Sequence, residues 1–265
     1  MPLSRNNKLK GSYTPPGDKS ISHRIIILGS QTVGQSTISN LLESEDVLNT
    51  VSVMKQLGSN IKKKSGKYII FGLPPGGLFT PKKKLDFGNS GTSIRLITGL
   101  ISSNNIKAVL VGDKSLSSRP MKRVTEHLKR IGAIFILKKD NFLPMTINGS
   151  PNPVPLNYEI LIPSAQIKSA VMLSALNTLG KVKIKEFAST RDHTERMLKT
   201  MNYDISFKEK KPHRFITMSN KRELKPLKYK VAGDPSSAAF MITAASLKVG
   251  SKIKVKDMLY NPTRI

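Results

Sequence analysis

Six short turns carry the residues best able to do chemistry, and they share one local grammar: Gly, Asp, Asn or Ser, then a hydroxyl or basic residue, then an apolar helical run. They are Gly17-Asp18-Lys19-Ser20, Gly88-Asn89-Ser90-Gly91-Thr92, Gly112-Asp113-Lys114-Ser115, Pro163-Ser164-Ala165-Gln166, Ser189-Thr190-Arg191-Asp192 and Gly233-Asp234-Pro235-Ser236. Any one of them is accounted for by capping, because a short polar side chain accepts a bond from the first free N–H groups of a helix. Their recurrence points further. Free N–H groups and the positive end of the helix dipole together make an anion site, and Lys19, Arg24, Arg95, Arg119, Lys168 and Arg191 sit at or just after the turns. Arg matches carboxylate or phosphate as a planar fork, whereas Lys supplies a mobile charge that can also carry a proton. Gln166 follows a capping serine and can address a hydroxyl or a carboxylate. His193, at a helix start, reads as a capping or packing residue.

The elements that must position these turns alternate. Tyr68 to Phe71, Ala108 to Val111, Ile134 to Leu137, Lys181 to Ile184 and Lys252 to Val255 read as strands. Ser20 to Ser30, Val47 to Gly58, Thr92 to Ser102, Met121 to Gly132, Ala165 to Leu179, Thr194 to Met201 and Ser236 to Leu247 read as helices, with Gly58, Gly132 and Gly180 as C-terminal caps. An α/β fold follows. The 265 residues, 38% of them hydrophobic, suffice for at least one full core.

Composition removes several functions. Zero cysteines and four scattered histidines leave no disulfide, thiolate metal site or cysteine nucleophile, and no metal or other cofactor is expected. No apolar run is long enough for a membrane span and Met1 to Lys10 is polar, so a cytoplasmic protein without membrane partners is expected. The formal charge of +27 could attract nucleic acid, yet the chain is 6% aromatic and lacks Trp, the residues on which bases stack. The clusters Lys62 to Lys64, Lys82 to Lys84 and Lys181 to Lys185 are read as solvated strand edges and turns. The first turn departs from a P-loop, since Gly11 lies six residues before Gly17 and Asp18 separates Gly17 from Lys19. No nucleophile elbow or dinucleotide fingerprint is present. Asn148-Gly149-Ser150 matches a glycosylation sequon but is read as a turn.

Pro16-Gly17-Asp18-Lys19-Ser20-Ile21-Ser22-His23-Arg24, the Gly88 to Thr92 turn, Ser115-Leu116-Ser117-Ser118-Arg119-Pro120-Met121, Ser164-Ala165-Gln166, Arg191 to Arg196 and Gly233 to Ala239 resemble, in order and spacing, the 5-enolpyruvylshikimate-3-phosphate synthases. The resemblance runs from about Pro15 to the last residue. It implies transfer of the enolpyruvyl group of phosphoenolpyruvate to the 5-hydroxyl of shikimate 3-phosphate with release of phosphate, a step toward chorismate and aromatic amino acids. The implied fold has two similar domains of repeated βαβαββ units. Residues 1–16 would begin the lower domain, 17–231 would form the complete upper domain, and 232–265 would return to the lower one.

By the same resemblance Lys19 touches both substrates and moves a proton. Ser20, Arg24, Ser164, Ala165, Gln166 and Arg191 hold shikimate 3-phosphate, and Asn89, Gly91, Thr92, Arg119 and Gln166 serve phosphoenolpyruvate. Gly91 suggests that glyphosate fits the latter site. Ala165 stands where some relatives have serine, removing one hydroxyl. Family members are longer, with a catalytic Asp and Glu and further Lys and Arg residues at positions beyond Ile265. The isolated chain is therefore expected to bind shikimate 3-phosphate weakly and to turn over poorly or not at all, with a monomer expected at full length. UDP-N-acetylglucosamine enolpyruvyl transferase is an alternative, but it usually has Lys-Asn where this chain has Lys19-Ser20, and many members carry a loop cysteine. A non-catalytic anion- or nucleic-acid-binding fragment is the other.

Overall fold

The computed structural model describes residues 8–187, 190–219 and 223–264. Its organisation follows from which helices are apolar all round and which on one face only. Helices α1 (Lys19–Gly29), α3 (Gly91–Ser102) and α6 (Ala165–Ala175) carry runs such as Ile25-Ile26-Ile27-Leu28, and nearly all their residues are buried. A helix without a polar face must sit inside. Helices α2 (Glu45–Gln56), α5 (Lys122–Lys129) and α7 (His193–Thr200) bury one face only, and α4 (Lys114–Ser117) is a single turn. Gly99 lets α3 and α6 approach to backbone contact: a Cβ there would run into the carbonyl oxygen of Ala170.

Around these helices stand three four-stranded sheets of one topology. In the first, β5 (Leu85–Asp86) runs parallel to β6 (Lys107–Val111) with α3 as the crossover, and β7 (Ile134–Lys138) and β8 (Phe142–Asn148) close it in the order β5-β6-β8-β7. The second repeats this with β9 (Asn157–Ile160), α6, β10 (Val182–Phe187), α7, β11 (Ile205–Lys210) and β12 (His213–Met218). The third uses α1, β2 (Gln35–Ser39), α2, β3 (Asn60–Lys64) and β4 (Lys67–Phe71), and takes its parallel first strand, β13 (Lys228–Lys230), from far along the chain. Each is a βαβαββ unit. A fourth βαβ begins where β1 (Lys10–Tyr13) pairs in parallel with β14 (Lys252–Val255) across α8 (Pro235–Ser246). Helix α8 has the composition of an inner helix, yet only Ala238 is buried and Phe240 is 81% exposed.

Several strands carried no alternating signal. The strand β3 reads Asn-Ile-Lys-Lys-Lys and buries only Ile61, because its other side chains face water on a sheet edge. Lys62 to Lys64 thus lie on an edge as expected, but Lys183 and Lys185 do not: β10 is a central strand whose outer face is wet, and Lys185 pairs with Glu159 at 2.7 Å. Helix α6 ends at Ala175 rather than Leu179. The Asn148 to Ser150 turn packs on the end of α3, with the Ser150 N–H donating to Ser102 O at 2.9 Å.

Candidate active site

The capping expectation holds at five of the six turns. Asp18 accepts from Ile21 N (2.9 Å), Ser90 from Ser93 N (3.2 Å), Asp113 from Leu116 N (2.7 Å), Ser164 from Ile167 N (3.3 Å) and Asp234 from Ser236 N (2.7 Å). At the Thr190 to Asp192 turn the Asp192 carboxylate instead takes bonds from Arg196, Asn261 and Thr263. Ser189 lies outside the described residues.

Near their N-terminal ends the inner helices are joined in a closed triangle of side-chain contacts, one side of it through Thr50 of α2. Between α1 and α3, His23 Nδ1 lies 2.7 Å from Thr50 Oγ1, which donates to Ser93 Oγ at 2.8 Å. Between α1 and α6, Arg24 Nη2 donates to Ser169 Oγ at 3.0 Å. Between α6 and α3, Gln166 Nε2 donates to Thr92 Oγ1 at 3.1 Å and Gln166 Oε1 accepts from Arg95 Nη1 at 3.3 Å. The backbone N–H groups of Thr92, Ala165 and Gln166 have no acceptor among the described residues, leaving positive helix ends open toward one region. The turn before α8 joins them. Gly17 and Gly233 face each other as an antiparallel bridge, Asp18 N donates to Ala232 O and Asp234 N to Pro16 O, each at 2.8 Å. Arg264 donates to Asp234 Oδ1 at 3.4 Å and Ser236 Oγ at 2.6 Å.

Two groups of cations line this region. Arg24 is buried, with Nε donating to Thr194 Oγ1 at 2.8 Å and Nη1 to Ser20 O at 3.0 Å. Its pKa is lowered to about 10, first by burial and then by the charge of Arg191, against the opposing pull of Glu195 and Asp18. Arg191 is exposed and Lys19 pairs with Asp46. The second group surrounds Gly91. Arg119 donates to Asn89 Oδ1 and, at 3.1 Å, to Ser115 Oγ, and Asn89 donates to Asp113 at 2.8 Å. Arg95 donates to Gly91 O at 2.9 Å, and its pKa is lowered by burial and then by Arg119 and Arg123. A methyl on Gly91 would meet Arg95 Nη1 at 2.8 Å and Arg119 Nη1 at 3.1 Å. Like charges held this close lower their mutual energy when an anion enters.

The chain thus brings Ser20, Arg24, Ala165 and Gln166 together on one side and Asn89, Gly91, Thr92, Arg119 and Gln166 on the other, with Gln166 common to both. The Ser164 hydroxyl accepts the capping bond from Ile167 N and keeps its O–H to donate. Lys168 is a correction, since it is fully buried and its charge is already paired with Glu186 and Glu195. Sequence reasoning passed over Asp46, Ser169 and Thr194, which lie on ordinary helical spacing and gain meaning only through tertiary contact. Arg95 had a legible signal, being one turn after Gly91 on the same face.

His23 and His193 are buried and held neutral, their pKa values lowered mainly by burial to about 3 and about 4. The unfolded chain takes up protons near pH 6.5 that the folded chain refuses, so stability is full above that pH and falls as pH drops toward the folded values. Buried Asp18 and Glu195, whose pKa values are raised by burial, act with the opposite sign. The His23 contribution is therefore read as a difference. Between pH 6.5 and 5 wild type should lose about 1.6 kcal/mol more stability than His23→Asn in urea titrations; parallel pH profiles would exclude it.

Sheets of βαβαββ units around inner helices whose N-termini gather arginines are the fold of the enolpyruvyl transferases. The model of the family "EPSP synthase (3-phosphoshikimate 1-carboxyvinyltransferase)" matches residues 3–265, and the chain belongs to that family. It is 46% identical over 265 residues to the 3-phosphoshikimate 1-carboxyvinyltransferase of Ruegeria sp. (strain TM1040), covering 100% of this chain and 59% of the relative. The enzyme of the same name from Zymomonas mobilis is 44% identical over 257 residues, with 97% and 57% covered. The EPSP synthase structure from Acinetobacter baumannii superposes with a TM-score of 0.89 at 35% identity, covering 98% of this chain and 58% of that one. The chain therefore spans less than two thirds of the length of these relatives. No helix among the described residues is long and apolar enough to cross a membrane.

Proposed function

We propose that these 265 residues carry the shikimate 3-phosphate site, and part of the phosphoenolpyruvate site, of a protein that transfers the enolpyruvyl group between them. The supporting observation is the closed triangle that joins the inner helices near their N-terminal ends, leaving the free N–H groups of their first turns beside two sets of cations. Arg24, Arg191 and the α6 N-terminus with Ser164, Ala165 and Gln166 take shikimate 3-phosphate, joined by Ser20. Asn89, Gly91, Thr92 and Arg119 take phosphoenolpyruvate, with Arg95 beside them and Gln166 reaching both. Lys19 exchanges its pairing with Asp46 for the ligands and carries a proton during addition of the 5-hydroxyl and elimination of phosphate. The upper domain is assigned to residues 17–231, consistent with β13 closing the third sheet, and residues 1–16 and 232–265 to the lower domain. A cytoplasmic location and a monomeric state are assigned to the full-length protein.

Calorimetric titration with shikimate 3-phosphate at two salt concentrations tests this reading. Saturation at one ligand per chain with modest salt dependence is expected; binding of single-stranded DNA that collapses with salt, without a response to shikimate 3-phosphate, would replace it with the nucleic-acid reading. Glyphosate, a phosphonate with a carboxylate, is assigned to the same cations around Gly91. Gly91→Ala should weaken phosphoenolpyruvate and glyphosate by about 10- to 100-fold, since overpacking a tight site costs about 1–3 kcal/mol, and should leave shikimate 3-phosphate affinity within about twofold. Equal losses for all ligands would contradict that division of the site.

A further inference from the structure

Lys168 begins the second turn of α6 and is fully buried. Its Nζ lies 2.9 Å from Glu186 Oε1 on β10 and 2.7 Å from Glu195 Oε1 on α7. It also donates to Thr190 O at 3.4 Å, and Thr190 Oγ1 donates to Glu186 Oε2 at 2.9 Å. Arg214 on β12 completes the group, 3.6 Å from each carboxylate. Stability alone does not account for four buried charges, because well-packed apolar residues in such places are often as stable or more so. What ions add is direction, and the neighbours in sequence show where it is used. Ser169 follows Lys168 and Thr194 precedes Glu195; their hydroxyls lie 2.7 Å apart and accept from Arg24 Nη2 and Nε. Thr190 precedes Arg191.

We infer that Lys168, through Glu186 and Glu195, is a positioning residue for the phosphate site. It locks α7 and the Thr190 loop onto α6, so that Ser169 and Thr194 fix the Arg24 fork and Arg191 stands beside it. The fork is then preorganised before the anion arrives, and little ordering is left to oppose binding. This inference rests on the functional reading above for its ligand, but its structural half can be measured without one.

The experiment compares wild type, Lys168→Met, the charge-balanced pair Lys168→Met/Glu195→Gln and Lys168→Arg. The pair keeps the fold testable if the single variant, which strands a buried carboxylate, does not fold. The ligand-free readout is hydrogen exchange of the Arg24 Nε–H by nitrogen-15 NMR. Slow exchange in wild type and at least about tenfold faster exchange in the folded pair, with partial rescue in Lys168→Arg, is expected. Unchanged exchange in the pair overturns the inference whether or not any ligand binds. The second readout is affinity for shikimate 3-phosphate in a cycle with Arg24→Ala. The pair should lose about tenfold or more in the wild-type background and about nothing beyond Arg24→Ala; multiplying losses would show a role unrelated to Arg24. If wild type shows slow Arg24 exchange but binds neither shikimate 3-phosphate nor inorganic phosphate, the functional reading fails while the positioning half stands.

Discussion

Arg24→Ala abolishes saturable binding of shikimate 3-phosphate at concentrations that saturate wild type, with an expected loss of about 100-fold or more. The magnitude follows from burial. Arg24 is 4% exposed, and its charge is desolvated without a carboxylate in hydrogen-bond contact. An anion at the α6 N-terminus supplies that missing charge, and in a desolvated site the interaction is screened little. Arg24→Lys restores the charge but not the fork that spans Thr194, Ser169 and the ligand, so it should recover only a small part of the affinity. Isothermal titration of the folded variants checks both. Arg24→Ala with affinity within about threefold of wild type would remove Arg24 from the site, since so small a change is under 1 kcal/mol.

The second large effect is on stability. Gly99→Ala places a methyl where the Ala170 carbonyl oxygen already lies, so α3 and α6 must part along the contact that carries the core. Interiors are packed too densely to absorb this locally, and a loss of about 2–4 kcal/mol is expected. Gly66→Ala is the informative comparison. Gly66 holds a left-handed backbone, at φ +71, and nothing lies within 4 Å of its missing Cβ, so only the left-handed backbone cost of about 1 kcal/mol applies. Urea midpoints separate the two, and equal shifts would mean that close approach of α3 and α6 contributes nothing.

The polar turns were legible in the sequence because capping, anion binding and helix entry all require the same small set of residues. Helices α1, α3 and α6 were legible as helices, but their composition alone did not separate them from α8, which is as apolar yet buries only Ala238. The sheets were harder. Strand β13 is Lys-Tyr-Lys and β5 is Leu-Asp, too short to show a period, and the pairing of β13 with β2 joins residues whose separation no local pattern records. The site shows the same division. Lys19, Arg24, Gly91 and Arg119 stand in recognisable turns, whereas Ser169 and Thr194 take their place only because α6 and α7 meet over Arg24. Lys168 misled for a related reason: a lysine near a helix start is compatible with an anion site or with a buried carboxylate pair, and only β10 and α7 decide between them.

Convergence of three helix N-termini on one two-ligand site is tested most directly by titrating nitrogen-15-labelled chain with shikimate 3-phosphate, then phosphoenolpyruvate, and following every amide. Shifts that saturate together at one ligand per chain and concentrate at Lys19, Ser20, Ala165, Gln166 and the Arg24 Nε–H are the expected result, with Gly91 and Thr92 joining when phosphoenolpyruvate follows. Non-saturating shifts spread over the Lys62 to Lys64 and Lys82 to Lys84 surfaces, with those first turns silent, would contradict it.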